Sequence, residues 1–374
     1  MTAPGLKLTV YLGERDRARA APGAEPHAGG GPLAAALIDL FARRRIRTSC
    51  LLRGVEGFGA RHRLQTTRLL TLSEDLPLVA VAVDRPAAIG ALLEEVAALQ
   101  GDGLATLERV ALVGDDGGRL RGEELPDGGP GDALRATLHL GRQQRVDGRP
   151  AHLVAVETLR AAGVDGATVL LGVDGTTRGE RARARFFSRN ADVPLLAISA
   201  GRRAPTAAAL AELTARIPGL LATVERVRLL DGGGGGDGRT QRRPQPEPEP
   251  PPGGHGKLTV YGSEQTLVEG QPLHAALVRR LRAERIAGAT ALRGLWGYHG
   301  ARPPHGDRFL ALRRHVPVVT VAIDAPERIA QAERIARELT AGGRGLVTRE
   351  HVPALRAARP GEGLVGSLRL DDAG

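Results

Sequence analysis

The stretch LRGVEGFGARHRLQTTRLLTLSEDLPLV, residues 52–79, occurs three times in this chain in altered form. Residues 170–195 read LLGVDGTTRGERARARFFSRNADVPL, and residues 292–318 read LRGLWGYHGARPPHGDRFLALRRHVPV. Each version joins two apolar, strand-like segments through a loop that contains glycine and arginine. Repetition on this scale indicates repeated structural units.

The sequence on either side of this stretch repeats with it. The segment KLTVY at residues 7–11 returns letter for letter at residues 257–261. A proline and a glycine recur at constant offsets of 118 and 240 positions, as Pro32, Pro150 and Pro272 and as Gly54, Gly172 and Gly294. The predicted domains are repeat 1 (5–114), a linker (115–132), a degenerate repeat 2 (133–230), a Gly/Pro-rich linker (231–255), repeat 3 (256–356) and a C-terminal tail (357–374).

Apolar periodicity predicts the same elements in each repeat. The strands predicted in repeat 1 are residues 7–13, 49–54, 78–84 and 104–113. The predicted helices, 32–45 and 86–99, each begin at a proline, which suits a first helical turn. The resulting order, β-α-β-β-α-β, is that of a ferredoxin-like unit, so we expect an α+β fold.

The composition restricts the possible functions. The chain is 42% apolar and 2% aromatic, and its net charge is +10 at pH 7. This charge favours an anionic ligand, whereas scattered arginines and few stacking aromatics argue against nucleic acid. A single cysteine, Cys50, excludes disulfides within the chain and a cysteine-rich metal site. With no apolar run of about 18 residues and no signal peptide, we expect a cytoplasmic protein.

Repeat 1 resembles the PII-like bacterial proteins of domain-of-unknown-function family 190 over nearly its whole length. The resemblance is carried by KLTVYLGE at residues 7–14, the stretch at 52–79 and GLATLERV at 103–110. Repeat 3 is clearly similar, and repeat 2 keeps the frame but has lost most signature side chains. The resemblance implies a ferredoxin-like fold, trimeric assembly, small-ligand sites between neighbouring units, and a long T-loop that engages a target protein.

Three such PII-like repeats in one chain are expected to form an intramolecular pseudo-trimer, a monomer in which the sheets cover one another's open faces and edges. The alternative is three independent domains that recruit partners from other chains. Since PII-type proteins often bind adenine nucleotides, the resemblance favours ATP, ADP or AMP as the ligand. Genes of this family often neighbour fluoride-channel genes, so it also suggests a membrane transporter or fluoride channel as the protein target.

The glycine- and arginine-containing loop supplies the candidate ligand-binding residues. Arginine presents a fork-shaped cation suited to phosphate or carboxylate, a carboxylate can accept hydrogen bonds from a ribose or base, and glycine lets the backbone approach a ligand. The candidate set is Arg53, Gly54, Glu56, Gly57, Gly59 and Arg61 in repeat 1, and Arg293, Gly294, Gly297, Gly300 and Arg302 in repeat 3. In repeat 2, Leu171 replaces Arg53, so we expect that site to be lost. The alternative is that the glycines only shape a strand end and the arginines are solvated.

A second set of residues recurs in the closing strand of each repeat. The set consists of Thr106 and Glu108, Thr223 and Glu225, and Thr348 and Glu350. Persistence in the degenerate repeat 2 favours packing or hydrogen bonding between repeats over ligand binding. No serine, histidine and carboxylate set recurs, so no catalytic residue is predicted. No metal site is predicted among His62, His299, His305 and His315, because His299 and His305 have no counterpart in repeat 1.

Taken together, the sequence favours a non-enzymatic, PII-like signalling or regulatory protein. It would bind a small anionic ligand in clefts between repeats and act on a partner through T-loop-like loops. The alternative is a ligand-free structural or interaction protein that docks onto a partner such as a membrane transporter or channel.

Overall fold

The computed structural model describes residues 2–19, 31–59, 64–66, 75–100, 104–114, 125–126, 132–177, 179–181, 193–231, 254–300, 303–306 and 316–356. Repeat 1 contains β1 (Thr2–Gly13), α1 (Leu33–Arg43), β2 (Thr48–Phe58), β3 (Gln65–Thr66), β4 (Pro77–Asp84), α2 (Pro86–Gly90), α3 (Leu93–Leu99) and β5 (Leu104–Val113). The helix predicted at 86–99 is thus two shorter helices. Nearly all of the two predicted linkers and the whole tail at 357–374 lie outside the described residues.

The other two repeats follow the same order of long strands and helices, with a short strand pair before the first helix and a single second helix. Repeat 2 contains β6 (Asp132–Gly141), β7 (Arg145–Val146), β8 (Arg149–Pro150), α4 (Ala151–Ala161), β9 (Gly166–Thr177), β10 (Glu180–Arg181), β11 (Pro194–Arg202), α5 (Arg203–Arg216) and β12 (Leu221–Asp231). Repeat 3 contains β13 (Gly254–Ser263), β14 (Leu267–Val268), β15 (Gln271–Pro272), α6 (Leu273–Ala283), β16 (Gly288–His299), β17 (His305–Gly306), β18 (Pro317–Asp324), α7 (Pro326–Thr340) and β19 (Leu346–Arg356).

Of the 19 strands in the described residues, 15 join one antiparallel sheet, which contains strands of all three repeats and closes on itself as a barrel, while β7–β8 and β14–β15 form two separate pairs. The prediction of three ferredoxin-like, PII-like repeats forming a pseudo-trimer was therefore wrong. The repeats are not independent domains either, because they share strand pairings. Within repeat 1 the pairing order is β5-β1-β4-β2, but both outer strands continue into pairing with other repeats. Local periodicity carries no information about such long-range pairing, so it could not distinguish separate units from one sheet.

The second long strand of each repeat makes the first set of joins. β2 pairs with β9 through residues 48–52 and with β16 through residues 54–58. β16 in turn pairs with β9 through residues 294–299. The sequence prediction ended the strand of repeat 1 at Gly54, whereas β2 runs on to Phe58. The extension is therefore the part of β2 that pairs with repeat 3.

The closing strands of the repeats make the second set of joins. β12 pairs with β5 through residues 222–224 and with β19 through residues 228–231, and β19 pairs with β5 through residues 354–356. Both sets connect every repeat to the other two. The sheet is consequently continuous from repeat to repeat, both through β2, β9 and β16 and through β5, β12 and β19.

Helices cover the outside of this sheet, and side chains of all three repeats meet inside it. α1 buries Leu33, Leu37 and Leu40 at helical spacing, as the sequence predicted, against the apolar core of repeat 1. Each of the other repeats has its own core of the same kind. A further cluster joins Val81 of repeat 1, Leu196 of repeat 2 and Leu292 of repeat 3. Within the described ranges, no helix is long and apolar enough to cross a membrane.

Candidate functional site

An exposed ion pair lies where two strands of repeat 1 end. The Arg53 Nη2 group donates hydrogen bonds to both carboxylate oxygens of Glu14, each at 2.9 Å. Arg53 lies on β2 opposite Leu78 of β4, and Glu14 follows directly after β1. The two side chains are 47% and 37% exposed, so the pair is accessible to a dissolved anion.

Repeat 3 has the same ion pair, and repeat 2 does not. Arg293 Nη2 lies 2.9 Å from Glu264 Oε2, and the side chains are 38% and 35% exposed. At the matching positions of repeat 2 the arginine is replaced by Leu171 and the glutamate by Arg142. Both members of the pair are therefore present or absent together, which distinguishes repeats 1 and 3 from repeat 2. The sequence analysis missed the two glutamates, although YLGE and YGSE place them at matching ends of the first strand.

The candidate glycines in the strands are explained by close packing. A Cβ atom on Gly54 would lie 2.7 Å from Pro77 Cγ, and one on Gly57 would lie 2.7 Å from the Ala289 carbonyl oxygen. Gly294 has the same relation to Pro317, at 2.7 Å. Such distances leave no room for a side chain. Gly54 and Gly294 leave room for a proline of their own repeat, and Gly57 lets β2 lie close to β16 of repeat 3, so all three have a structural role.

The two glycines beyond the strands are in different surroundings. A Cβ atom on Gly59 would meet nothing within 4 Å. Gly300 has a φ angle of 59°, in the left-handed region that favours glycine, and its N–H donates a hydrogen bond of 2.8 Å to the Asp165 carbonyl oxygen. Arg61 and Arg302 lie outside the described residues.

Glu56 does not join the surface arginine site. Its residue is 6% exposed, and its Oε2 atom lies 3.8 Å from Nε2 of His274, a buried residue of α6 in repeat 3. The matching residue of repeat 2, Asp174, binds Arg181 at 2.8 Å, and that of repeat 3, Trp296, packs against the core of repeat 2. This position contacts different groups in each repeat, so a shared ligand-binding role does not follow from it.

The recurring glutamates meet inside the sheet, together with three cations. Each glutamate faces a basic residue on the first strand of its own repeat: Lys7 opposite Glu108, Arg135 opposite Glu225, and Lys257 opposite Glu350. The side chains of all six residues are 9% exposed or less. We call these six residues the charge ring. The sequence analysis missed its cations, although KLTVY and RATLHLG place a base at matching positions of strands that are otherwise largely apolar.

The recurring threonines form the next layer along the same strands. Thr9 is paired with Thr106, Thr137 with Thr223, and Thr259 with Thr348, and all are buried. Thr106 Oγ1 donates a hydrogen bond of 2.9 Å to Glu108 Oε1. The structure thus places the threonine–glutamate pairs between repeats, away from the exposed arginines.

The three glutamates do not form a plausible metal site. One carboxylate oxygen from each lies within 4.8 Å of the others, a spacing that a cation could use. Those oxygens are already engaged: Glu108 Oε2, for example, lies 2.7 Å from Lys7 Nζ and 3.0 Å from Lys257 Nζ. Three carboxylates against three fixed cations leave no net charge to attract a metal ion.

The charge ring shifts the pKa values of its members. Burial alone would raise the pKa of Glu108, but Lys257, Lys7 and Arg135 together hold it well below its ordinary value. Glu350 is affected in the same way, since burial is outweighed by Arg135 and Lys257 and its pKa is lowered. Glu108 and Glu350 are therefore taken to be ionised at neutral pH.

His139, on β6 beside the ring, is expected to remain neutral from about pH 8 to about pH 5. Burial of its imidazole, followed by the nearby charge of Lys7, lowers its pKa to about 3. NMR titration of the His139 ring protons checks this, with an exposed histidine of the same chain as internal reference. A titration midpoint near the ordinary value of 6.5 would contradict the buried arrangement.

Comparison with known proteins identifies the family. The model of DUF190, described as "Uncharacterized ACR, COG1993", matches residues 5–112, 133–229 and 255–354, which together are more than half of the chain. This chain belongs to the DUF190 family. The three matches confirm the tandem arrangement of this DUF190 protein that was predicted from residue spacing. They do not support the PII-like part of that prediction.

Two further comparisons concern single proteins. The DUF190 chain is 31% identical over 98 residues to a UPF0166 protein of Aquifex aeolicus (strain VF5), a match that covers 26% of this chain and 90% of that protein. Among solved structures, the aspartate kinase of Synechocystis aligns with 97% of this chain and 45% of its own, at 12% identity and a TM-score of 0.24. A score this low carries no argument about fold or function.

Proposed function

We propose that this protein is a non-enzymatic regulatory protein that binds a small anionic ligand at Arg53 and at the matching Arg293. The observation that carries the proposal is the pair of exposed, equivalent arginines, each held by a carboxylate at the same strand ends. Repeat 2 lacks both residues, so the proposal is limited to repeats 1 and 3.

The guanidinium geometry supports an oxyanion as the ligand. Both hydrogen bonds from Arg53 to Glu14 come from Nη2, which belongs to each of the two bidentate edges of a guanidinium, so an incoming anion would take such an edge by displacing Glu14. Two parallel N–H donors on one edge suit a phosphate or carboxylate. Exposed ion pairs contribute only about 0–1 kcal/mol, so the glutamate holds the arginine in place without closing the site to a competing anion.

A phosphate-bearing ligand such as an adenine nucleotide is the first class to test. The net charge of +10 favours anions in general and adds to attraction over distance. In this proposal the loops that start beyond β2 and β16 carry the signal. They would change conformation when the ligand binds and would then act on a partner. Residues 60–63 and 301–302 of those loops lie outside the described ranges.

We expect ATP, ADP or AMP to release measurable heat on titration into the protein, with one site at Arg53 and one at Arg293. Arg53→Ala and Arg293→Ala should each remove one site, and the double variant both, because a charge-assisted hydrogen bond contributes about 1.5–3 kcal/mol, or roughly 10–100-fold in affinity. Isothermal titration calorimetry measures both the affinity and the number of sites.

Arg44→Ala is the matched control. Arg44 is an exposed arginine of repeat 1 whose Nη2 lies 2.7 Å from Glu95, so it resembles Arg53 in exposure and pairing but lies on the helical side. It should leave the titration unchanged. No heat with any of the three nucleotides at about 1 mM would exclude the nucleotide version of the proposal, and equal effects of Arg44→Ala and Arg53→Ala would exclude the site.

A further inference from the structure

The second repeat has lost its exposed ion pair but keeps a distinctive residue inside the sheet. Repeats 1 and 3 each place a lysine in the charge ring, whereas repeat 2 places Arg135 there. We infer that Arg135 is the residue of the charge ring that holds repeat 2 to both of the other repeats, which are also joined to each other directly by strand pairing. This inference does not depend on the proposed anion site.

Arg135 contacts all three glutamates of the ring. Its Nε donates to Glu225 Oε2 of its own repeat at 2.9 Å. Both terminal nitrogens bind Glu350 of repeat 3, with Nη2 at 2.6 Å from Oε2 and Nη1 on Oε1. The Nη2 group also lies 3.5 Å from Glu108 Oε2 of repeat 1. One side chain therefore connects repeat 2 to both of the others.

Each lysine of the ring connects only two repeats. Lys7 binds Glu108 of its own repeat at 2.7 Å and Glu225 of repeat 2. Lys257 binds Glu350 of its own repeat at 3.2 Å and Glu108 of repeat 1 at 3.0 Å. The shortest contacts between repeats thus run in one direction around the ring, from repeat 1 to 2, from 2 to 3 and from 3 to 1, and Arg135 adds the 3.5 Å contact with Glu108 in the opposite direction.

Arginine suits the three-way position because of its donors. A guanidinium has five N–H donors in a rigid plane and is charged at every accessible pH, whereas an ammonium group has three donors on a flexible stem. Removing the guanidinium leaves three buried carboxylates with two ammonium groups. A buried charge without a partner is far more costly than the loss of an exposed pair.

The experiment compares Arg135→Met with Arg142→Met in the full-length chain. Arg142 is an exposed arginine that follows the same strand, β6, so its replacement removes an equal charge from the same repeat. Arg135→Met should lower the thermal midpoint by roughly 5–10 °C, and Arg142→Met should leave it unchanged. Equal midpoints for the two variants would overturn the inference.

Two further variants keep the test decisive if Arg135→Met does not fold. Arg135→Lys keeps the charge but cannot contact all three glutamates, so its thermal midpoint should lie between those of the wild type and Arg135→Met. Glu350→Gln should lower the thermal midpoint by less in the Arg135→Lys background than in the wild type, because the two residues interact. Strictly additive shifts, or an Arg135→Lys variant as stable as the wild type, would show that Arg135 has no special role in joining the repeats.

Discussion

Gly297→Ala is expected to lower the free energy of unfolding by about 3 kcal/mol or more. A Cβ atom at this position would lie 2.3 Å from the Ala167 carbonyl oxygen and 2.9 Å from Thr168 Cα, both backbone atoms of β9 in repeat 2. Because backbone atoms cannot rotate away as a side chain can, β16 and β9 would have to separate where they pair. Chemical denaturation followed by circular dichroism measures the change.

Gly59→Ala is the control for that prediction. Gly59 belongs to the same candidate set, but a Cβ atom there would meet nothing within 4 Å. Its replacement should change stability by less than about 0.5 kcal/mol, as is usual at surface positions. If Gly297→Ala were as stable as Gly59→Ala, the close crossing of the two strands would be wrong and a ligand role for the glycine would regain support.

Glu108→Gln is expected to destabilise the protein by about 3–5 kcal/mol at pH 7, because it breaks a buried ionic contact while leaving its cations in place. Glu108 accepts hydrogen bonds from both lysines of the charge ring, at 3.0 and 3.1 Å from Lys257, and lies 2.7 Å from Lys7. Glu338→Gln is the control, because Glu338 forms an exposed ion pair with Arg280. This substitution should leave the free energy of unfolding unchanged. A comparable loss in both variants would contradict a special role for the ring.

The same variant has a defined dependence on pH. The pKa of Glu108 is lowered in the folded state, so its contribution to stability is complete above its ordinary pKa of 4.5 and is lost as the pH falls through the lowered value. The difference between wild type and Glu108→Gln should therefore shrink below about pH 4.5. Denaturation at a series of pH values measures it, and a difference that stayed constant down to about pH 3 would argue against an ionised Glu108.

The sequence was sufficient for those features that depend on local pattern. Constant spacing of Pro32 and Gly54 with their counterparts predicted three repeats, and the DUF190 matches confirm them. The order of helices and strands within each repeat also follows from apolar periodicity. What periodicity could not give is the partner of each outer strand, since the side chains that alternate along β2 are the same whether its neighbour is β4 alone or also β16. The shared sheet was therefore missed.

The candidate site also contains residues that the local pattern predicts and residues whose surroundings depend on long-range strand pairing. Arg53 and Arg293 were recognisable as exposed cations because they follow apolar strand residues next to a glycine. Glu56 looked equivalent to them in the sequence but is buried against repeat 3, because β2 continues four residues past its predicted end. Lys7 and Lys257 gave the opposite signal: a lone lysine in an apolar strand, repeated at matching positions, predicts a buried partner. That pattern was available and was not used.

The sharing of strands has a consequence for how this chain is made. Pairs such as Leu292 with Gly54 or Leu355 with Ala105 join residues that are 238 and 250 positions apart, so they form only after the strands of repeat 3 have been synthesised. During synthesis, at about 5–20 residues per second, the edges of β2 and β5 that pair with repeat 3 remain unpaired until that repeat has been made. Exposed strand edges are the usual starting points of aggregation, so the ribosome-bound intermediate is the state in which this protein most needs protection.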